Sequence, residues 1–241
     1  MPGAAIRAIL FDKDGTLFDF QATWGKVIDA VLDTLAPDAE TRTRMARAGG
    51  YDPLNRRFLA GSPIVSGSNA EIATLWAAFR PAIGAARIAH LLDEVAHDIL
   101  ADPRSVVPAV PDLPALLAGL RARGYALGVA TNDSEEGARV QLAAAGILDA
   151  FDFLAGYDSG HGVKPDPGVL LAFGRTVRAS PSEIAVVGDS RHDLETARAA
   201  SAAMAVGVLT GPATHDDLAP FADHVLHSIG HLPALLDRLA G

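Results

Sequence analysis

No cysteine occurs among the 241 residues. Disulfides, thiolate metal sites and a cysteine nucleophile are therefore excluded. Long apolar runs are missing as well. No uninterrupted stretch approaches the roughly 18 residues of a membrane-spanning helix, and the mean hydropathy of +0.22 comes largely from alanine. The N-terminal Met1-Pro2-Gly3-Ala4-Ala5-Ile6-Arg7 lacks a basic region followed by a long apolar core, and the run from Ala8 to Phe11 stops at Asp12. A signal peptide is not expected. Basic runs are absent too: 20 Lys and Arg face 29 Asp and Glu, for a formal net charge of -9. Neither nucleic acid nor a membrane is an expected partner. An acidic protein that acts on an anionic substrate needs concentrated local positive charge, and a bound metal is one way to supply it. Lysine is the scarcest source, with only Lys13, Lys26 and Lys164 in the chain.

What is present is an ordinary globular balance, 49% apolar and 20% charged, in a chain long enough for one large core or a domain with an insert. Short apolar runs of strand length cover residues 6–11, 125–130 and 184–187, with shorter ones at 153–155 and 203–209 and a further edge candidate at 224–229. Helical spacing lies between them. Leu113, Leu116, Leu117 and Leu120 share one face, Ser134-Glu135-Glu136 reads as a helix start, and further helices are expected after Asp166-Pro167, over 193–200 and over the C-terminal leucines. From about residue 110 the alternation predicts a parallel α/β sheet with helices on both faces, whose ligand site lies at the carboxyl ends of the strands. Residues 18–108 differ. They show helical stripes (Val27 to Leu35, Ile72 to Phe79, Ile88 to Ile99), a Gly/Ser-rich connection from Gly61 to Ser68 and no convincing buried strand, and they end in a Pro-rich return over 103–114. The predicted organisation is a core of 1–17 and 109–241 with a helical insert of 18–108.

Three polar clusters each follow a predicted strand. In Asp12-Lys13-Asp14-Gly15-Thr16-Leu17 two carboxylates stand two residues apart, on one side of an extended segment. One can attack phosphorus while the other handles the leaving-group proton; the alternative for the pair alone is a polar turn ending a buried strand. It is not an EF-hand loop, because the sixth and twelfth positions from Asp12 hold Leu17 and Thr23. Thr131-Asn132 at a helix start suits a phosphate oxygen or a simple cap. In Gly188-Asp189-Ser190-Arg191-His192-Asp193, Asp189 can take a metal and Asp193 can hold Lys164, or Asp189 or Ser190 can cap a helix. Lys164, before Pro165, is a compact charge suited to bridging carboxylate and phosphate. Four aspartates, Asp12, Asp14, Asp189 and Asp193, converging on one strand-end site could not all stay ionised unaided, and a hard, oxygen-liking dication such as Mg2+ with one lysine relieves them.

These four clusters, in this order, resemble the haloacid dehalogenase superfamily: Asp12, Asp14, Gly15 and Thr16 match its Asp-x-Asp-Gly-Thr motif, Thr131 its second, Lys164 its third, and Gly188, Asp189 and Asp193 its Gly-Asp-x-x-x-Asp motif. The resemblance implies a Rossmann-like parallel sheet core with a helical cap inserted after the first strand. It implies an aspartyl-phosphate on Asp12 and general acid, then base, action by Asp14. Mg2+ would be held by the Asp12 carboxylate, the Asp14 backbone carbonyl and Asp189. Thr131, Asn132 and Lys164 would bind phosphate, and Asp193 would support the metal waters or the lysine. Within the superfamily, Asp-Lys-Asp-Gly-Thr-Leu-Phe and Val-Lys-Pro-Asp-Pro look most like phosphoglycolate phosphatases. Hydrolysis of a small phosphorylated metabolite leads, by a cytoplasmic monomer or homodimer. A phosphosugar mutase and a non-catalytic member are the alternatives. A dehalogenase would leave Asp14 without purpose, and a phosphonate hydrolase would need a cap lysine where only Lys26 is present. For specificity, Arg56 and Arg57 suit a carboxylate or second phosphate or are solvated, and Phe20 and Trp24 either line the site's mouth or form cap core.

Overall fold

In a computed structural model of the chain, residues 5–59, 62–66 and 69–240 are described. In chain order the elements are β1 (Ala8–Phe11), α1 (Phe20–Leu35), α2 (Ala39–Ala48), β2 (Tyr51–Asp52), β3 (Arg57–Phe58), α3 (Pro63–Ser66), α4 (Asn69–Ala77), α5 (Ala85–Leu100), α6 (Leu113–Ala122), β4 (Ala126–Ala130), α7 (Glu135–Ala144), β5 (Phe153–Ala155), α8 (Gly168–Val177), β6 (Ile184–Gly188), α9 (Arg191–Ala199), β7 (Met204–Val208), α10 (His215–Leu218), β8 (His224–Leu226) and α11 (Leu232–Ala240). They form two compact units, one of Met1–Asp19 with Val106–Gly241 and one of Phe20–Ser105.

The first unit carries a six-stranded sheet in the order β5-β4-β1-β6-β7-β8, with every pairing parallel. The expected Rossmann-like architecture is thus present. Strand β1 lies in the middle, with Phe11 in register with Val129 of β4 and Val187 of β6. Each of these strands is therefore left by the chain at the same level, side by side. Alternation sorts the side chains onto two cores. Ile9 and Phe11 join Leu127, Val129, Ala185 and Val187 on one face; Ala8 and Leu10 join Ala130, Ile184 and Val186 on the other. On the second face α8 packs close. A β-carbon at Gly128 would come within 2.7 Å of the Phe173 ring, so the strand needs glycine there.

The second unit is built on the expected stripes. Val27, Ile28, Val31, Leu32, Ile72, Trp76, Ile88 and Leu92 share one core. Phe20 belongs to it, edge-on to Phe58 at 5.0 Å, and Trp24 packs against it, stacked on Phe20 at 6.2 Å. Two elements were not expected. Helix α2 has only Met45 and Ala46 buried, so it carries no apolar stripe to read; its start is marked by Asp38, whose carboxylate accepts the Thr41 N–H at 2.7 Å. The β2–β3 hairpin has strands of two residues, with Tyr51 opposite Phe58, too short for an alternating pattern. Of the Gly/Ser-rich connection, Gly61, Gly67 and Ser68 lie outside the described residues, and α3 falls between them. Among the described residues no helix is long and apolar enough to cross a membrane.

Candidate active site

The three central strands deliver the three clusters to one place. The ladder continues one residue past β1, the Asp12 N–H donating to the Val187 carbonyl at 2.8 Å, and the chain then coils. Leu17 and Phe18 N–H groups return to the Lys13 carbonyl at 2.9 and 3.2 Å, and Gly15 N–H reaches the Phe18 carbonyl at 2.8 Å. Gly15 takes φ +85°, a region that favours glycine. After β6, Ser190 caps α9 and Asp193 completes a capping box, its carboxylate accepting Ser190 N–H at 3.0 Å and Ser190 O–H at 2.6 Å. The cap is thus Ser190, not Asp189. After β4, Ser134 caps α7.

Lys164 closes the cluster. Its ammonium donates to Asp12 Oδ1 at 2.6 Å, Asp193 Oδ1 at 2.6 Å and the Ala130 carbonyl at 3.0 Å, so all three of its hydrogens are engaged. Of Asp193's two expected roles, holding the lysine is the one its geometry displays. The peptide bond from Lys164 to Pro165 is cis. The Asn132 side chain grips the same residue from outside, its Oδ1 accepting the Lys164 N–H at 3.0 Å and its Nδ2 donating to the Lys164 carbonyl at 3.2 Å. The Asn132 amide thus holds the backbone that carries the lysine. Thr131 is buried, and its hydroxyl oxygen accepts the Asp133 N–H at 3.1 Å, which leaves its own hydrogen to donate.

Carboxylate oxygens of Asp12, Asp189 and Asp193 lie within 4.8 Å of one another. One ammonium does not balance three buried carboxylates. Burial, countered by Lys164 and reinforced by Asp193, pushes the Asp12 carboxyl up to about 7. Burial, then the charges of Asp12 and Asp193, pushes Asp189 well above the usual carboxylate range. For Lys164 burial favours the neutral amine, but Asp12 and Asp193 outweigh it and hold the ammonium above the ordinary lysine range. The backbone is cut away around Asp189: a β-carbon at Gly15 or at Gly211 would fall on its carboxylate. The Thr16 hydroxyl is buried with no hydrogen-bond partner. An all-oxygen donor set short of positive charge and walled by glycines fits a hard dication such as Mg2+. Asp12 and Asp189 are the side chains to hold it, since both Asp193 oxygens are already bonded.

Of the four aspartates expected to converge, the Asp14 side chain is not in that cluster, because Lys13 and Gln141 hold it elsewhere; its backbone carbonyl is the group expected at the metal. Asp14 Oδ2 accepts from Lys13 Nζ at 2.5 Å, and Gln141 Nε2 lies 3.5 Å from Asp14 Oδ1. Lys13 is fully buried, and its ammonium also reaches Gln141 Oε1 at 2.5 Å and Asp133 Oδ2 at 3.3 Å. Burial opposes its charge, but Asp14 and Asp133 hold it above the ordinary lysine range. Lys13, Gln141 and Gly211 were not singled out from the sequence. The signals available were a scarce lysine between two aspartates and a glutamine on the inward stripe of α7, beside Ala138 and Leu142.

In the second unit Arg56 has φ +49° and pairs with Asp29 at 2.8 Å, while Arg57 is exposed in β3. Lys26 donates to the Arg104 and Ser105 carbonyls, each at 3.1 Å, and so ties down the returning end of that unit.

The family model for haloacid dehalogenase-like hydrolases matches residues 6–201. The phosphoglycolate phosphatase of Cereibacter sphaeroides is 32% identical over 243 residues, 99% of each chain. That of Rhodospirillum rubrum is 31% identical over 202 residues, 83% of this chain and 78% of the relative. Among solved structures, a haloacid dehalogenase-like hydrolase from Bacteroides fragilis matches with a TM-score of 0.71 at 23% identity, over 94% of this chain and 99% of the other. A beta-phosphoglucomutase from Clostridium difficile matches with a TM-score of 0.65 at 18% identity, over 98% and 97%. At such identities the structural likeness speaks for the fold alone.

Proposed function

This chain belongs to the haloacid dehalogenase-like hydrolase family, and from that premise we propose that it is a Mg2+-dependent phosphatase acting on a small phosphate monoester of the 2-phosphoglycolate kind through an aspartyl-phosphate on Asp12. The observation that carries the reading is the separation of the two motif aspartates. Asp12 lies among Lys164, Asp189 and Asp193, whereas Asp14, two residues on, has Lys13 and Gln141 as partners. Two carboxyl groups in unlike surroundings suit two roles.

In the first half-reaction an Asp12 oxygen attacks phosphorus, the bond from phosphorus to the leaving oxygen breaks, and Asp14 gives that oxygen its proton. In the second, water loses a proton to Asp14 and attacks the same phosphorus; inorganic phosphate leaves and the Asp12 carboxylate returns. Lys164 sets its charge against both the Asp12 carboxylate and the incoming phosphoryl group, and Asp193 and the Ala130 carbonyl fix its position. The free hydrogen of the Thr131 hydroxyl donates to a phosphoryl oxygen. A bound Mg2+ supplies positive charge that lets one anion approach another. The 2-phosphoglycolate class is supported by the names of the full-length relatives.

The test is a panel of phosphate monoesters, 2-phosphoglycolate and hexose phosphates included, with Mg2+ or with chelator. Released phosphate that requires Mg2+ and disappears in Asp12→Asn is the expected result. Undiminished turnover in chelator refutes the metal, and undiminished turnover by Asp12→Asn refutes the nucleophile. Isomerised sugar phosphate without released phosphate would make the protein a mutase.

A further inference from the structure

Lys13 is a fully buried ammonium inside the reacting segment, and neither half-reaction above uses it. Burying a lone ammonium is strongly unfavourable, and such groups persist where their hydrogens are all satisfied. Here the ammonium donates to Asp14 Oδ2 and Gln141 Oε1, each at 2.5 Å, and pairs with Asp133 Oδ2 at 3.3 Å. The three partners come from different places: the β1 loop, helix α7 and the loop after β4. The Gln141 amide also closes a ring. Its oxygen accepts from Lys13 while its nitrogen points at Asp14 Oδ1, 3.5 Å away. Gln141 is itself fully buried, as a solvated helix glutamine would not be. Each Asp14 oxygen thus meets one member of a buried pair anchored to α7.

We propose that Lys13, braced by Gln141 and Asp133, is a positioning residue for Asp14: it holds the carboxyl group in the one rotamer from which a proton can pass to the leaving oxygen. The inference rests on the acid/base role given to Asp14 above. A side chain released from such a hold distributes over its staggered rotamers, and misplacement of a reacting group by about 1 Å costs on the order of 100-fold in rate.

The loss should depend on the leaving group, a signature that general damage does not produce. An alkoxide needs the proton as it departs; p-nitrophenolate leaves as a stable anion and does not. The experiment compares single-turnover phosphorylation of Asp12 by 2-phosphoglycolate and by p-nitrophenyl phosphate, in wild type, Lys13→Met, Gln141→Leu and Asp14→Asn with Mg2+ present. Methionine keeps an unbranched chain in the buried channel. Lys13→Met should slow the alkyl ester about 100-fold, within the range of acid–base catalysis, and leave the nitrophenolate burst within about threefold. Gln141→Leu should show the same selectivity at about tenfold, and it decides the matter alone if Lys13→Met does not fold. Equal losses for the two esters, or no loss for either, overturn the inference. If instead Asp14→Asn itself shows no selectivity, the acid role of Asp14 falls, and if wild type turns over neither ester, the phosphatase reading falls with it.

Discussion

Stripped of metal, the first unit should become less stable as pH rises, because the buried carboxyls of Asp12 and Asp189 both hold their protons more tightly than in the unfolded chain. The unfolded Asp12 carboxyl titrates near 3.8 and the buried one at about 7. The folded state therefore binds the proton more tightly. Stability is fully present below pH 3.8 and is lost as pH rises through 7, the reverse of a salt-bridged carboxylate. A shift of this size is worth about 4 kcal/mol in all, of which roughly 3 kcal/mol accrues between about pH 5 and about pH 8, because at the lower value the unfolded carboxyl is already ionised. Asp189, also raised, adds in the same direction. The assay must watch the right unit. Both tryptophans, Trp24 and Trp76, lie in the second one, so fluorescence would follow the wrong transition. Hydrogen exchange of β1 and β6 peptides in chelator reports the sheet directly. After correction for intrinsic exchange, protection should fall about 100-fold between the two pH values. Asp12→Asn should remove the Asp12 share of that slope, the share of Asp189 remaining, and be the more stable protein at the higher pH. Mg2+ should restore wild type there, because a dication favours the ionised form. A flat wild-type profile in chelator, or an equal slope in Asp12→Asn, would refute the reasoning.

Two further predictions concern residues that frame the cluster. Gly211→Ala places a β-carbon on the Asp189 carboxylate; displacing that group should cost about 1–3 kcal/mol, seen in calorimetric titration as Mg2+ binding weaker by roughly tenfold or more, and an unchanged affinity would show that Asp189 is not a ligand. Gly211 is preferable to Gly15, whose positive φ would add strain of its own. Asn132→Ala removes two hydrogen bonds to the Lys164 backbone; at about 1 kcal/mol each, the segment 160–166 should exchange amide hydrogens about 30-fold faster and kcat should drop, whereas a change in KM alone would point to phosphate binding by Asn132.

How much of this was legible in the sequence depends on what each residue's partner was. Strands β1, β4 and β6 are continuous apolar runs that stop at polar residues, so their ends, and the groups placed there, could be read directly. The α7 cap at Ser134 was legible for the same reason, a local signal bonded to a local backbone. Helix α2 was not, because its support is a cap and two buried residues rather than a stripe. Nor was the β2–β3 hairpin, whose pairing of Tyr51 with Phe58 is a tertiary fact. At the site, Asp12, Lys164, Asp189 and Asp193 converge as their spacing suggested. The hold of the Asn132 amide on the Lys164 backbone was not legible, because its partner is 32 residues away. The burial of Lys13 was not legible for a similar reason: its scarcity between two aspartates marks it, but its partner Gln141 is 128 residues distant.

The order β4-β1-β6 explains why one segment can serve two opposed charge requirements. Because β1 is flanked on both sides, the loop that leaves it meets the β6 loop through one aspartate and the β4 loop through the next lysine. On the β6 side carboxylates accumulate, Asp189 and Asp193 beside Asp12, and burial leaves them short of positive charge. On the β4 side the chain places the Lys13 ammonium between Asp14 and Asp133, two carboxylates that both keep some contact with solvent. A nucleophile benefits from the first setting, since a dication drawn to unmet negative charge also neutralises the phosphate. A proton-transfer group benefits from the second, since a carboxyl already fixed by protein partners stays out of the metal's coordination. A metal on the Asp14 carboxylate would hold it from the leaving oxygen. In the proposed mechanism the alternation Asp-Lys-Asp thus divides the two roles between the β6 and β4 sides of β1, which the strand order β4-β1-β6 makes available to one loop.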